Sequence, residues 1–358
     1  MHPKQNNHTK MSNINSTRYN WVDWCKSIAI FLVIWGHLPM HSIAISIIYS
    51  FHMPLFFLIS GYLYKPQKTA KEEFKKNFKT LFVPYLIYQL IFYPYWMVRE
   101  SLVFHQSFTI YDSIIRPIIQ SLASNAINGP TWFIYCLLSF KIYAYCIQKK
   151  QSLSVPITCF SCILSILICF WLNNRSLYVT YAIHHFFTLI IFFFAGQALK
   201  HINLKYISDS LYKSIIWLSF FTIIFGTLIR TGYNSNYTTL LESVKFYTLG
   251  FTGSGMILGI GFILNRINSK IIYNISIGTM VILGIHWMLI GVLNFSIEKY
   301  LHLSEDISYS TSTAFFISGT ITIIMYPMIL FCKKHLPILL GKGFSSNKYR
   351  KLINSPSA

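Results

Sequence analysis

Ten apolar segments, each long enough to cross a lipid bilayer as a helix, dominate this chain of 358 residues. Only 11% of the residues are charged, against about 25% in a typical soluble domain. The sequence therefore predicts an all-α, polytopic membrane protein with about ten transmembrane helices. The predicted spans are residues 24–42, 45–64, 81–98, 131–147, 154–172, 180–199, 213–229, 243–264, 273–294 and 311–332.

The distribution of positive charge predicts the orientation of these spans. Of the 30 Lys and Arg residues, 22 lie on the side of the membrane that holds the N-terminal tail, and five lie on the other side. Cytoplasmic connections collect Lys and Arg, so both termini are predicted to be cytoplasmic. The net charge of +20 follows this pattern, and we expect no nucleic acid partner. The predicted parts are a cytoplasmic tail over residues 1–20, a membrane domain over 21–335 and a basic cytoplasmic tail over 336–358.

Ionisable side chains lie on one face of the first span. Lys26 and His37 are eleven residues apart, which is three helical turns plus about 20°, so both side chains lie on one face roughly 16 Å apart. Asp23, one turn before Lys26, joins this face and can pair with the lysine. Such groups are costly in a membrane helix, so they usually face a bundle interior or a wet cavity and mark function. We predict an active site with His37 as its general base or as a transient acyl carrier, and with Asp23 and Lys26 beside it.

Each of these residues also has a structural alternative. His37 could form a hydrogen bond across the bundle, and Lys26 could extend to the interface instead of steadying an anionic cofactor. His52 in the second span and His286 in the ninth are candidates for the same cavity as His37, and simple burial is the alternative for His286. Ser60 could line that cavity or permit close helix packing.

Two further sequence features concern bound ligands. The loop KPQKTAKEEFKKNFKTLFVPY is the densest in lysine, and Lys76 and Lys79, one turn apart, could clamp the phosphates of a nucleotide-like cofactor. Attraction to anionic membrane lipids is the alternative role of this loop. His184 and His185 are adjacent, so on a helix they point about 100° apart and do not readily chelate one ion. We therefore predict no metal site.

The order of several motifs resembles that of a known family. These motifs are WVDWCKSIAIFLVIWGH, FHMPLFFLISGY, the basic loop that runs into FVPY, GPTWFIYCLL, FFFAGQAL and SIGTMVILGIHW. Together they resemble the acyltransferase-3 family of integral-membrane acyltransferases, over residues 18 to about 290. The most specific parts are Lys26 with His37 and the segment from Pro54 to Tyr62.

The resemblance implies a function and a set of site residues. It implies transfer of an acyl group, usually acetyl, from cytoplasmic acyl-CoA to a sugar hydroxyl of a surface or lipid-linked glycan, in the inner membrane of a bacterium. It implies that Lys76, Lys79 and Tyr85 bind the cofactor. The residues expected to line the substrate cavity are His52, Ser60, Trp132 and His286.

Two other classes of membrane protein are alternatives. A transporter or flippase for a glycan or lipid intermediate would also need ten spans and buried polar groups. Transporters tend to have broken helices at matching positions in two halves, whereas the polar stripe here is concentrated in the first two spans. A glycan polymerase is expected to have a large external loop with paired basic residues, and the connection over residues 99–130 is modest and mixed in charge.

Overall fold

The computed structural model describes residues 18–40, 42–102, 109–122, 127–149, 154–175, 181–233, 239–301 and 307–342. Within these ranges the chain is entirely helical or irregular, without strands, and the predicted all-α class is confirmed. The helices of the first half are α1 (Asn20–His37), α2 (Ile43–Leu63), α3 (Ala70–Asn77), α4 (Val83–Leu102), α5 (Arg116–Leu122), α6 (Trp132–Gln148) and α7 (Ser154–Arg175). The second half contains α8 (Tyr181–Ala198), α9 (Leu204–Ser208), α10 (Leu211–Ile229), α11 (Leu240–Leu264), α12 (Lys270–Ile277), α13 (Thr279–Leu301) and α14 (Thr311–His335).

Ten of these helices correspond to the ten predicted spans. In the described part of the chain, nine helical stretches are long and apolar enough to cross a membrane, which makes this a multi-pass membrane protein. The first span is not among the nine, because the polar residues Asn20, Asp23, Lys26 and His37 lower the mean hydropathy of α1. Residues 1–17 and 343–358 of the two predicted tails lie outside the described residues.

Two predicted spans differ from the observed helices by more than small shifts at their ends. The first ends at His37 rather than residue 42, because Leu38 precedes Pro39 and is extended, with φ −74° and ψ 137°. The ninth, predicted as one helix over residues 273–294, is divided at Gly278 into α12 and α13. A β-carbon at Gly278 would lie only 2.6 Å from atoms of Ile329, so the division packs tightly against α14.

Helix α1, the least apolar span, lies inside the bundle. It packs against α2, α11, α12, α13 and α14. Cys25, Ala29 and Ile34 of α1 have no measurable exposure. By contrast, α7 and α10 have most of their apolar side chains exposed, as expected of helices at the lipid boundary. The ionisable residues of α1 are therefore separated from lipid by other helices, which lowers the cost of holding them in the membrane.

Small residues bring α2 and α8 into close contact. A β-carbon at Gly61 of α2 would overlap the carbonyl oxygen of Phe193, and one at Gly196 of α8 would overlap the carbonyl oxygen of Leu58. The two backbones therefore touch at both positions. The close contact with α8 explains why residue 61 is a glycine. The neighbouring Ser60 is half-buried.

We expect Gly196→Ala to destabilise the protein, because the added methyl group must push α2 and α8 apart. Overpacking of this kind costs about 1–3 kcal/mol. Gly226→Ala on α10 is the matched control, since a β-carbon there meets nothing within 4 Å. Thermal unfolding of the detergent-solubilised variants measures both effects. Equal unfolding midpoints for the two variants would contradict the close approach of α2 and α8.

The last described residues pack against the end of the bundle that the charge distribution predicts to be cytoplasmic. Residues Pro337–Leu340 form a short 3-10 turn in which Leu339 and Leu340 are buried. The Tyr88 hydroxyl of α4 donates a hydrogen bond of 2.6 Å to the Leu339 carbonyl oxygen. This turn places Lys342 close enough to Lys26 of α1 for their charges to interact.

Candidate active site

Three histidines from three helices meet at the outer end of α1. The Nδ1 atom of His37 lies 3.1 Å from Nε2 of His286 on α13, and the two ring centroids are 5.0 Å apart. The ring of Tyr49 on α2 lies 6.3 Å from that of His37 and 5.1 Å from that of His52, which is also on α2. The Tyr49 hydroxyl donates to the carbonyl oxygen of Gly36. We name His37, His52, His286 and Tyr49 the histidine cluster.

The hydrogen bonds assign the tautomers of His37 and His286. Nδ1 of His286 lies 2.8 Å from the Ile282 carbonyl oxygen, which can only accept, so this nitrogen carries the proton and Nε2 is an acceptor. Nδ1 of His37 lies 2.8 Å from the Val33 carbonyl oxygen and also faces that acceptor. It must therefore be the protonated nitrogen of His37. The lone pair of the imidazole is left on Nε2, as a general base requires.

Exposure distinguishes His37 from the other two histidines. His286 is fully buried and His52 is 4% exposed, whereas His37 is only half-buried. Nδ1 of His52 is bound to the Ile48 carbonyl oxygen at 2.7 Å. The ring of His37 contacts the rings of His286 and Tyr49, which belong to two other helices of the bundle. Of the three histidines, His37 is the least buried.

A second group of polar residues surrounds Ser276 at the end of α12. The Ser276 hydroxyl donates to Asp23 at 2.6 Å, and the Lys26 ammonium donates to the Ser276 carbonyl oxygen at 2.6 Å. Arg18 forms an ion pair with the other carboxylate oxygen of Asp23 at 2.6 Å. Among the described residues Asp23 forms an ion pair with Arg18, and its charge also interacts with that of Lys26 without a direct hydrogen bond between them. Ser276 holds both side chains instead.

The division of the ninth span explains why Lys26 points toward α12. The last carbonyl groups of a helix have no intrahelical partner and carry partial negative charge, so they attract cations. Lys26 binds the carbonyl oxygen of Ser276 in the last turn of α12. The Ser27 hydroxyl donates to the carbonyl oxygen of Ile272, one turn earlier, at 3.0 Å. An unbroken helix over residues 273–294 would have used the Ser276 carbonyl internally.

Further cations gather around α12. The Arg18 guanidinium lies 4.1 Å from the ring centre of Tyr273, and the Lys333 ammonium lies 5.1 Å from it. Lys333 also donates to the side-chain oxygen of Asn274 at 3.0 Å. We name Arg18, Lys26, Lys333 and Lys342 the cytoplasmic cation cluster. Asp23 offsets one of its charges, so the cluster is suited to an anionic ligand.

The basic loop is held by a buried carboxylate. Glu73 is 2% exposed and accepts hydrogen bonds from the Tyr64 hydroxyl, the Gln67 amide and the Asn77 side chain, at 3.2, 2.9 and 2.7 Å. Burial and the neighbouring Glu73 carboxylate raise the pKa of Tyr64, so its hydroxyl stays protonated and donates. Glu73 lies on the buried face of α3, and the lysines of this helix lie on its exposed face.

The remaining predicted site residues lie elsewhere. Lys76 and Lys79 are exposed. The Lys76 ammonium donates a hydrogen bond of 3.4 Å to the nearby Lys65 carbonyl oxygen. Trp132 stacks on His185 with ring centroids 4.2 Å apart. Tyr85 is buried beside Tyr135 of α6. The predicted cofactor roles of Lys76, Lys79 and Tyr85 and the cavity roles of Ser60 and Trp132 stay predictions.

Five residues of the site were not predicted, namely Tyr49, Arg18, Ser276, Lys333 and Lys342. Tyr49 lies three residues before His52 on α2, so helical spacing alone could have placed it beside the histidine. Arg18 lies five residues before Asp23, and its positive charge contributes to the predicted orientation of the spans without indicating a contact. Ser276 is 253 positions from Asp23, and nothing in its local sequence indicates the contact. Among the described residues, no group of three or more His, Cys, Asp or Glu side chains is placed to hold a metal ion.

A bundle of membrane-spanning helices with a half-buried imidazole among them has the features of an integral-membrane enzyme. The comparison with protein families specifies the class. The model of an acyltransferase domain, that of the acyltransferase-3 family, matches residues 19–331. The chain belongs to this family and is a membrane acyltransferase. No curated protein and no solved structure was found to match it.

Proposed function

We propose that this protein transfers an acyl group, acetyl in the simplest case, from cytoplasmic acyl-CoA to a hydroxyl of a cell-surface or lipid-linked glycan. The inner membrane of a bacterium is the proposed location, with membrane lipids around the bundle. The observation that supports the proposal is the hydrogen bonding of the His37 ring. Its Nδ1 is held by Val33 and His286, and its Nε2 is left to accept a proton inside the bundle.

The charge at the cytoplasmic end supports an acyl-CoA donor. Acyl-CoA carries several phosphate charges, and the cytoplasmic cation cluster lies one helix length below His37 on α1. Lys26 of this cluster and His37 share one face of α1. A donor whose phosphates bind the cluster would extend its flexible pantetheine arm along that face. Lys76 and Lys79, on the exposed side of α3, are proposed as a second contact for the same phosphates.

The proposed reaction requires one base and balances without a metal. Nε2 of His37 takes the proton of the acceptor hydroxyl as its oxygen attacks the thioester carbonyl carbon. The tetrahedral intermediate collapses, the carbon–sulfur bond breaks, and the coenzyme A thiolate leaves. The thiolate then takes the proton from His37, which returns the imidazole to its starting form. His286 and Val33 fix the orientation of the ring throughout.

Glycan analysis tests the proposed function directly. We expect a strain that lacks this gene to lose ester-linked acetyl groups from its surface glycan, and the complemented strain to regain them. The ester content is measured by release of acetate with mild alkali. Membranes of the complemented strain should also transfer label from [14C]acetyl-CoA to the glycan. Unchanged ester content in the deletion strain would contradict both the donor and the acceptor.

A further inference from the structure

The outer ends of α10 and α11 enclose a pocket that the predicted site does not include. Its volume is about 190 Å³, which is below the range of about 300–1,000 Å³ typical of sites for drug-sized molecules, so its ligand is a small one. Tyr233, Glu242 and Lys245 contribute the polar part of its wall, and Phe246 and Leu249 contribute the apolar part. The charge-based orientation places this pocket at the outer face, opposite the cytoplasmic cation cluster. We name it the outer pocket.

The charged side chains of the outer pocket are held in place. The Lys245 ammonium donates to the Thr231 carbonyl oxygen at 2.7 Å. The Glu242 carboxylate accepts from the backbone amide of Thr239 at 3.1 Å, as part of the capping box that begins α11. A carboxylate accepts hydrogen bonds from hydroxyl groups, and an ammonium donates to their oxygens. Both therefore suit a ligand that is rich in hydroxyl groups.

An aromatic surface lies beside these charges. The rings of Tyr233 and Phe246 are stacked, with centroids 6.4 Å apart and planes at 25°. The axial hydrogens of a sugar ring make one of its faces apolar, and such a face packs well on an aromatic ring. The combination of an aromatic face with a carboxylate and an ammonium fits a sugar better than the hydrocarbon tail of a lipid.

Tyr49 connects the outer pocket to the histidine cluster. The Tyr233 hydroxyl donates to the backbone carbonyl oxygen of Tyr49 at 3.3 Å. The ring of Tyr49 faces His37 and His52, and its hydroxyl binds the carbonyl oxygen of Gly36, the residue before His37. Tyr49 is thus the boundary between the pocket and the proposed base.

We propose that the outer pocket binds the sugar ring that carries the acceptor hydroxyl, with Tyr233 under one face of the ring and Glu242 and Lys245 at its hydroxyl groups. This inference rests on the proposed function, because it assigns the acceptor of the same reaction. It makes Tyr233, Glu242 and Lys245 determinants of acceptor specificity. The donor does not touch them, since its phosphates bind at the opposite end of the bundle.

Steady-state kinetics separate the acceptor from the donor. The full-length protein is reconstituted in nanodiscs and supplied with [14C]acetyl-CoA and with glycan purified from the deletion strain. We expect Tyr233→Ala and Glu242→Gln to raise the KM for the glycan at least tenfold, with the KM for acetyl-CoA within twofold of the parent value. Tyr233→Phe keeps the ring and should stay near the parent. Unchanged glycan KM values, or an equal rise in both KM values, would overturn the proposal.

The outer end of α13 offers matched controls. Glu298 and Tyr300 are of the same residue types, and the Tyr300 side chain is exposed. We expect Glu298→Gln and Tyr300→Ala to leave both KM values within twofold of the parent. A rise in the glycan KM for these variants equal to that for the pocket variants would indicate a general effect of the outer surface and overturn the assignment.

A measurement independent of catalysis separates this inference from the proposed function. Thr231→Cys, at a lining residue whose side chain is given no contact with the sugar, is treated from outside with a membrane-impermeant maleimide, and the parent protein, with its seven native cysteines, gives the background. We expect labelling at position 231 that the purified glycan slows at least fivefold. Protection without acyl transfer by the parent would support the pocket and refute the function. Transfer without protection would refute the pocket alone.

Discussion

Replacing His37 with alanine is expected to lower the rate of acyl transfer at least 100-fold, the range that loss of a general base produces. The structure gives the reason. His37 is the half-buried member of the histidine cluster, and its Nε2 lone pair has no replacement in His286, whose Nε2 is already bound to His37. The measurement is label transfer from [14C]acetyl-CoA to glycan by protein in nanodiscs. The unfolding midpoint should change little.

Two companion variants make this prediction sharper. His37→Asn keeps a donor for the Val33 carbonyl oxygen and removes the base, so it should be as inactive as His37→Ala. His201→Ala alters an exposed histidine just beyond the cytoplasmic end of α8 and should transfer at the parent rate. An active His37→Asn variant would show that the residue orients the site and takes no proton.

Replacing Lys26 with methionine is expected to raise the KM for acyl-CoA about 10- to 100-fold, the equivalent of one hydrogen bond to a charged group. The ammonium is the member of the cytoplasmic cation cluster that shares a face of α1 with His37. It is fixed on the Ser276 carbonyl oxygen at 2.6 Å. Methionine has a similar length and no charge, so the packing of α1 is preserved. Donor titrations in the label-transfer assay give the KM.

The control for Lys26 is Lys334→Met, which removes the same charge from an exposed position near the end of α14. We expect its KM for acyl-CoA to stay within twofold of the parent value. Lys26→Arg retains the positive charge and should recover most of the donor affinity. If the donor KM of Lys26→Met equals that of the parent, the lysine stabilises the fold of α1 and α12 and does not contact the donor.

The spans and the polar face of α1 follow from local sequence. Hydropathy and helical spacing depend on neighbouring residues, so eight of the ten predicted spans agree with the observed helices apart from small shifts at their ends. Lys26 and His37 each belong to a polar site, as their shared face predicted. The interior position of α1 also follows from its cost in lipid.

The tertiary contacts of the site did not follow from local sequence. His37 and His286 are 249 positions apart, and their contact depends on how α1 packs against α13. The division at Gly278 was missed because apolar residues continue on both sides of it, and hydropathy cannot show where a helix turns. The pairing of Asp23 with Arg18 depends on residues just before the helix, where an i,i+3 rule for helices does not apply.

The central position of α1 has a consequence for biogenesis. It precedes the other spans in chain order, yet four of its packing partners, α11 to α14, follow it by about 200 residues or more. Asn20 and Asp23 find their partners Asn265 and Ser276 only after about three quarters of the chain has been translated. Until then this least apolar span lacks those partners, so its final packing is completed by the C-terminal third of the chain.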